Sequence, residues 1–190
     1  MKKLKSIISI LAIISFVACN KESVILPGAS NQTQQTITVP NGSFENWTAL
    51  LPENWTTNSC PACAAPFMTD IVQADSDTCA GNLAAKFYYI VYPAWAENRF
   101  SISAHPLNLT ACVKCNLFGT DTVMIKVSLL HNSLVVDSGQ WISTSSINNY
   151  SSITLPLTQN SLQVDSAVIY IQGPHGTGFP LFWVDDVELN

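Results

Sequence analysis

Two adjacent carboxylates, Asp185 and Asp186, stand in the middle of the apolar segment Phe182–Leu189. Side chains of an extended strand alternate between its two faces, so Val184 and Val187, on either side of the pair, fall on opposite faces. Both valines can reach one core only if the strand slips by a residue between them, which is the effect of a β-bulge. A bulge would re-aim one carboxylate. The segment therefore predicts a small acidic site, most simply for a cation.

The cysteines offer a second kind of chemistry. Cys60 and Cys63 form one pair, Cys112 and Cys115 form another, and this spacing occurs in four-cysteine zinc sites. The second pair lies in an alternating segment that predicts a strand, on which residues three apart face opposite sides, so we disfavour zinc. Cys115 falls on the apolar face and is predicted to be a buried free thiol. Cys60, Cys63, Cys79 and Cys112 remain as disulfide candidates, and the sequence leaves their pairing open.

Residues 92–99 combine groups that could bind a sugar. Trp95 and Tyr92 provide aromatic rings, Glu97 a carboxylate and Arg99 a guanidinium. Sugars stack their apolar faces on aromatic rings and form hydrogen bonds with nearby polar groups. The segment therefore predicts a ligand-binding loop. The alternative is a structural one, in which Trp95 packs against the edge of the domain.

Catalytic signatures are missing from the sequence. The nucleophile elbow of serine hydrolases, the zinc-binding helix of metalloproteases and phosphate-binding glycine loops do not occur. A glycosidase would need two carboxylates facing one groove, for which Glu53 with Glu97 is the pair left open. We therefore predict no catalytic residues.

Composition limits the class of protein. The chain has 190 residues, of which 47% are apolar and only 11% charged, with a formal net charge of −5. This length is enough for one domain with its own core. The negative charge argues against a nucleic-acid partner, because phosphate binding needs a basic surface.

The N-terminus is typical of a targeting segment. Lysines precede the apolar run Ile7–Val17, which has the length of a secretory signal and is too short to span a bilayer. The four residues Phe16–Cys19 resemble a bacterial lipobox. This resemblance implies a signal peptide over residues 1–18, cleavage before Cys19 and attachment of lipid, with palmitate among its acyl chains. The alternative is an ordinary secretory signal in which Cys19 has no role.

Residues 19–36 predict a lipidated N-terminus followed by a flexible tether. The part from Pro27 to Gln35 consists mostly of Pro, Gly, Ser, Asn and Gln and has no apolar periodicity. The charged flank Asn20–Ser23 is similar to flanks that direct some Gram-negative lipoproteins to the outer surface. We therefore expect an outer-membrane lipoprotein of the bacterial cell envelope, attached to the membrane by its lipid alone.

Residues 37–190 predict a single all-β domain. Alternating apolar segments recur between turn residues, and no segment has helical periodicity over a helical length. Many short strands with regular turns favour a two-sheet antiparallel β-sandwich. The predicted strands are 43–47, 67–73, 83–92, 100–104, 107–117, 123–130, 134–142, 152–157, 167–172 and 182–189.

The order of motifs resembles a known family. Asn41–Trp47 has the pattern Asn-Gly-x-Phe-Glu, and Leu51–Trp55 follows it with Pro-x-x-Trp. Ala80–Lys86 is a small-residue turn that enters an apolar strand, and Phe182–Leu189 is the closing strand. In this order the motifs resemble carbohydrate-binding modules of the galactose-binding-like jelly-roll fold. The resemblance implies that fold for the whole domain.

The same resemblance implies a structural calcium ion. In the family, a Glu of the opening strand and an Asp of the closing strand bind the ion, and backbone oxygens complete its coordination. Carried over, the ligands would be Glu45, Asp186 or Asp185, and backbone near Asn41. Calcium takes six to eight oxygen ligands, many of which can come from backbone and water. The alternative is that these carboxylates face solvent without a metal.

Taken together, the sequence predicts a non-catalytic, lipid-anchored module that binds a glycan or cell-surface polysaccharide. One alternative is a structural or adhesive surface protein of the same fold without a small ligand, in which the aromatic residues would be buried. A less favoured alternative is a glycoside hydrolase.

Overall fold

The computed structural model describes residues 36–61, 71–89, 92–158, 162–175 and 178–190. These residues belong to one compact unit. The predicted signal peptide, the predicted lipidation site Cys19, nearly all of the predicted tether and Cys63 lie outside the described residues. Within the described ranges, no helix has the length and hydropathy needed to cross a membrane.

The described residues form strands and no helix, as the sequence predicts. Alternation of buried and exposed side chains continues along the longer strands, because one face of each is packed and the other is not. The strands are β1 (Trp47–Thr48), β2 (Leu51–Pro52), β3 (Thr56–Thr57), β4 (Val72–Asp75), β5 (Ala84–Tyr88), β6 (Trp95–Ser101), β7 (Asn108–Asn116), β8 (Val123–His131), β9 (Leu134–Ser143), β10 (Ile147–Pro156), β11 (Ser166–Gln172) and β12 (Leu181–Leu189).

Two five-stranded antiparallel sheets make up the domain. The first sheet has the strand order β10-β7-β12-β5-β4, and the second sheet has the order β3-β6-β11-β8-β9. The small pair β1-β2 stands apart from both. The predicted two-sheet antiparallel β-sandwich is therefore confirmed.

The core lies between the two sheets. Inward side chains of the first sheet, such as Phe87 and Phe182, are fully buried, as are Ile125 and Ile169 of the second sheet. Trp141 of the second sheet stacks on Phe182 of the first, with 6.3 Å between ring centroids. Aromatic and branched aliphatic side chains thus join the sheets into one apolar layer.

The β-bulge predicted in the closing strand is present. The register between β12 and β7 shifts between Asp185 and Glu188, and Asp186 has a positive φ of 46°. Because of this extra residue, Val184 and Val187 both point into the core, where they are 0% and 2% exposed. The bulge therefore lets one strand bury apolar side chains on both sides of an acidic pair.

The predicted first strand, residues 43–47, is wrong for most of its length. Residues 40–43 form a turn, and Asn41 and Phe44 have φ values of 49° and 53°. Phe44 is fully buried and packs against Trp55, with 4.8 Å between ring centroids. The turn continues past Gly42, and Phe44 enters the core directly after this turn instead of from a strand. Further upstream, Ile37 forms a bridge to Leu189 of the last strand, and the Gly42 carbonyl of the turn accepts the Val187 amide at 2.9 Å.

The predicted disulfide chemistry is confirmed in part. Cys79 and Cys112 form a disulfide that joins the loop before β5 to the outward side of β7. Cys60 is also disulfide-bonded, and Cys63 lies outside the described residues. Cys115 is a buried free thiol, as its position on the apolar face predicts. A zinc ion shared by Cys112 and Cys115 is thus excluded.

The disulfide predicts a measurable loss of stability in the double variant Cys79→Ala/Cys112→Ala. The bond closes a loop between residues separated by 33 positions, so its removal should lower the free energy of unfolding by about 2–4 kcal/mol. Urea unfolding of the wild-type protein and the variant measures this difference. Peptide mapping without reductant is the control. Equal stability, or a map that joins Cys79 to another cysteine, would contradict the assignment.

Candidate functional site

The segment that carries the predicted sugar-binding residues is a strand and not a loop. β6 begins at Trp95 and ends at Ser101, so the predicted loop over 92–99 is wrong from Trp95 on, and the predicted strand over 100–104 is right only at Phe100 and Ser101. β6 pairs with β11 along its whole length and with β3 near its start. Two neighbouring strands thus impose an extended conformation on a sequence with few β-branched residues.

The start of β6 is held by Asn58. Its side-chain oxygen accepts a hydrogen bond from the Trp95 amide at 2.8 Å, and its side-chain nitrogen donates to the Pro93 carbonyl at 3.0 Å. These bonds fix the backbone on both sides of Ala94, which is fully buried. The direction of the Trp95 side chain therefore follows from a locked backbone.

Alternation along β6 places three of the four candidate residues on one face. Ala96 and Asn98 point inward and are 0% and 1% exposed. Trp95, Glu97 and Arg99 consequently point outward, away from the first sheet. Asn98 also donates a hydrogen bond from its side chain to the Pro40 carbonyl at 2.8 Å, which ties the N-terminal turn beneath β6.

The fourth candidate, Tyr92, lies elsewhere. It precedes β6, next to the bridge between Tyr89 and Pro93, and its side chain is 60% exposed. Tyr92 is therefore not on the strand that carries the three outward side chains.

Tyr170 of β11, and not Tyr92, provides the second aromatic ring beside Trp95. Its ring stacks on that of Trp95, with 6.1 Å between centroids and 27° between planes. Partial burial, and then the negative charge of Glu97, raise the pKa of the Tyr170 hydroxyl, so this group stays protonated and can donate a hydrogen bond. Tyr170 is not among the binding residues predicted from the sequence. Alternation along 167–172 predicts that the Tyr170 side chain points outward. Only the pairing of β11 with β6 shows that Trp95 is its neighbour.

The register of the second sheet assembles these residues into one surface. Tyr170 lies directly between Glu97 of β6 and Lys126 of β8, and Lys126 pairs in turn with Gln140 of β9. Arg99 occupies the next outward position along β6. We call this surface the outer face of the second sheet. It comprises Trp95, Glu97, Arg99, Lys126, Gln140 and Tyr170.

The outer face of the first sheet is occupied by its own contacts. Trp183 is only 7% exposed, lies beneath the Lys114 ammonium at 4.6 Å, and donates a hydrogen bond from Nε1 to Asp75 at 3.4 Å. Lys86 forms an ion pair with Asp75, and Lys114 forms one with Asp77. The aromatic and charged side chains of this face are already paired with one another. Fewer of them are therefore free to bind a ligand than on the second sheet.

Asp185, at the bulge, is a buried carboxylate that accepts hydrogen bonds. Its Oδ2 accepts the amides of Cys79 at 3.0 Å and Ala80 at 3.1 Å, and its Oδ1 accepts the amide of Asp186 at 2.8 Å. Burial raises the pKa of the Asp185 carboxyl, although the three amides act in the opposite direction. The bulge thus holds the loop that carries the disulfide.

Glu45 holds the same loop from the other side. Its Oε1 accepts the amides of Asn82 at 2.7 Å and Leu83 at 3.2 Å, and these bonds lower the pKa of the carboxyl. Gly81 directly precedes these two residues with a φ of 65°, and a Cβ at this position would lie 1.9 Å from Glu45 Oε1. A larger residue cannot replace this glycine without moving the carboxylate.

The four predicted calcium ligands have different surroundings. Oε1 of Glu45 and both carboxylate oxygens of Asp185 accept backbone N–H groups, whereas a calcium ion requires oxygen ligands. Asn41 and Asp186 instead line a separate pocket beside the N-terminal turn. The described residues contain no group of three or more His, Cys, Asp and Glu side chains that could hold a metal. The calcium site stays a prediction, and the groups around Glu45 and Asp185 do not fit it.

Comparison with known proteins identifies the fold. Carbohydrate-binding modules from the β-sandwich superfamily, described as promiscuous in specificity, match 80% of this chain and 63% of theirs, with a TM-score of 0.53 and 16% identity. The chain has the β-sandwich fold of these modules. A Stig cyclase from Fischerella sp. TAU, solved with an indole ligand, matches 82% of this chain and 96% of its own, with a TM-score of 0.53 and 13% identity.

An enzymatically active domain of tailspike protein 4 from bacteriophage CBA120 is also similar. It matches 78% of this chain at a TM-score of 0.55 and 15% identity, but the match spans only 20% of the tailspike chain. No protein-family model matches the sequence. No curated protein matches it either. Binding and catalytic proteins thus share this fold, so the function must be argued from the residues.

The hydrogen bonds of Asp185 predict that Asp185→Asn destabilises the protein more than Asp186→Asn does. Asparagine at 185 would turn an N–H group toward amide donors and leave at least one amide unpaired, at a cost of about 1–3 kcal/mol. Asp186 has a positive φ that asparagine tolerates, so its variant is the matched control. Urea unfolding measures both. Equal stability of the two variants would contradict this role for Asp185.

The same hydrogen bonds predict an unfolding temperature that is the same in calcium and in EDTA. The loop is held by amides, so removing calcium should leave it in place. Thermal unfolding by circular dichroism in either buffer provides the test. A saturable rise of several degrees with calcium, lost in Asp186→Asn, would overturn this expectation and establish the predicted calcium site.

Proposed function

We propose that this protein is a non-catalytic glycan-binding module that takes its ligand on the outer face of the second sheet. The observation that carries the proposal is the stacked pair of Trp95 and Tyr170 on that face. Both rings are half-buried, so part of each ring is packed while part remains open to a ligand. Sugar rings bind such aromatic surfaces through their apolar faces.

Polar groups beside the rings suit a sugar. Glu97 and Gln140 can accept hydrogen bonds from hydroxyl groups, and Arg99 and Lys126 can donate to sugar oxygens. All four project from strands, so they are held more firmly than groups on a loop would be. Because carbohydrate-binding modules of the β-sandwich superfamily have the same fold, a role in binding polysaccharide is consistent with the architecture.

Binding is favoured over hydrolysis. Glycoside hydrolysis generally uses two carboxylates about 5–10 Å apart across a groove. Among the outward residues of the second sheet's strands, Glu97 is the only carboxylate. A single carboxylate can orient a sugar hydroxyl, but it cannot act as both the acid and the base of the usual mechanism.

A purely adhesive protein without a small ligand is also less well supported. That alternative expects the aromatic residues to be buried, and Trp95 and Tyr170 are not.

The N-terminal sequence supports placement at the bacterial cell envelope. A basic start, an apolar run and Cys19 after a small residue are the signals of a lipoprotein. We propose that lipid on Cys19 anchors the module to the outer membrane and that the tether holds it away from the bilayer, where it can reach a polysaccharide.

The proposal predicts that Trp95→Ala weakens glycan binding by about tenfold or more, because aromatic anchors in binding sites commonly contribute about 2 kcal/mol. A glycan array identifies the ligand, and isothermal titration calorimetry then compares the variants. Tyr170→Ala should weaken binding similarly. Tyr92→Ala is the matched control: it removes an exposed aromatic side chain from outside the strands of this face, and it should bind like the wild type.

Two results would contradict the proposal. One is a folded wild-type protein, as shown by circular dichroism, that binds no glycan on the array. The other is a ligand lost in Tyr92→Ala and retained in Trp95→Ala, which would move the site to the turn before β6.

A further inference from the structure

The basic side chains of this acidic protein are distributed unevenly. The described residues contain four of them: Lys86, Arg99, Lys114 and Lys126. Lys86 and Lys114 lie on the first sheet, where each forms an ion pair with an aspartate. Arg99 and Lys126 form no ion pair in the described structure. The two cations without a carboxylate partner therefore share one surface, the outer face of the second sheet.

These two cations lie on the strands to either side of Tyr170. Lys126 is the direct neighbour of Tyr170 on β8, about 5 Å away at the backbone. Arg99 is the neighbour of Val168, which is the next outward residue of β11, so it lies diagonally across from Tyr170 on the opposite strand. A sugar chain resting on Tyr170 and Trp95 would pass within reach of both positive charges.

Negative charge on this face is limited to Glu97, which lies in the same row as Tyr170. The face thus has a net positive charge, although the whole chain has a formal charge of −5. Unpaired cations beside an aromatic platform attract anions, and the guanidinium of Arg99 can bind a carboxylate or sulfate through two parallel hydrogen bonds.

We propose that the ligand of this face is an anionic polysaccharide, in which Arg99 and Lys126 bind the charged groups and Trp95 and Tyr170 bind the sugar rings. This inference rests on the proposed function and adds the chemical class of the glycan. Uronic acid carboxylates and sulfate esters present the same chemistry to the two cations, so the experiment includes both.

The charge variants test the inference. Arg99→Gln and Lys126→Gln should each weaken binding about threefold, and the double variant about tenfold, as expected for solvent-exposed ion pairs. Glu97→Gln removes the one negative charge of the face and should strengthen binding about twofold to threefold. This change of opposite sign is the matched control, because a merely structural effect of substitutions here would weaken binding in all variants.

The probes form two matched pairs of polymers. Polygalacturonate is compared with its fully methyl-esterified form, and carrageenan oligosaccharides are compared with uncharged agarose oligosaccharides. Retention of polygalacturonate alone identifies a carboxylate ligand, and retention of carrageenan alone identifies a sulfate ligand. In either case binding should weaken as salt rises from about 0.05 M to 0.5 M, because exposed charges are screened at the higher concentration.

The outcomes separate this inference from the function on which it rests. Equal binding to the charged and uncharged members of each pair, with loss in Trp95→Ala and no effect of Arg99→Gln or Lys126→Gln, would overturn the anionic ligand and leave the glycan-binding function standing. Absence of binding to all four polymers and to every member of the glycan array would overturn both.

Discussion

The acidic bulge of the last strand is the constraint on which the sandwich depends. Asp185 is fully buried, and its oxygens accept three backbone amides, two of which come from the loop before β5. A buried carboxylate is stable only when such donors surround it. Because the bulge inserts one residue, β12 can bury Val184 and Val187 in the same core. This single bulge thus closes the core, holds the loop that carries the disulfide, and contacts the N-terminal turn.

Internal contacts occupy the outer side of the first sheet, which leaves the outer side of the second sheet open to a ligand. The outer side of the first sheet is covered by ion pairs, a buried Trp183 and the disulfide between Cys79 and Cys112. The outer side of the second sheet has no such internal pairing of charges within the described residues. Its aromatic pair is supported from beneath by buried Ala96 and Asn98. Rigid backing and an open surface are what a sugar-binding platform requires.

Much of the fold could be predicted from the sequence, because long, half-buried strands alternate clearly. β7, β8, β9, β11 and β12 all lie close to their predicted positions, and the bulge follows from the reversal of alternation at the two aspartates. β6 was missed because Pro93 precedes it and its residues have weak strand propensity, whereas pairing with β11 imposes the extended form. The partners of Asp185 and Trp95 could not be predicted. The amide of Cys79 is 106 residues from Asp185, and Tyr170 reaches Trp95 only through the register of the sheet.

Nuclear magnetic resonance of the isotope-labelled protein during titration with its polysaccharide tests the central claim most directly. The account predicts that the indole N–H of Trp95 and the backbone amides around Glu97, Lys126 and Tyr170 shift together and saturate at one ligand concentration. Signals of the first sheet, including the indole of Trp183, should stay in place. Shifts confined to the turn around Tyr92, or to the first sheet, would show that the ligand binds elsewhere and would contradict the account.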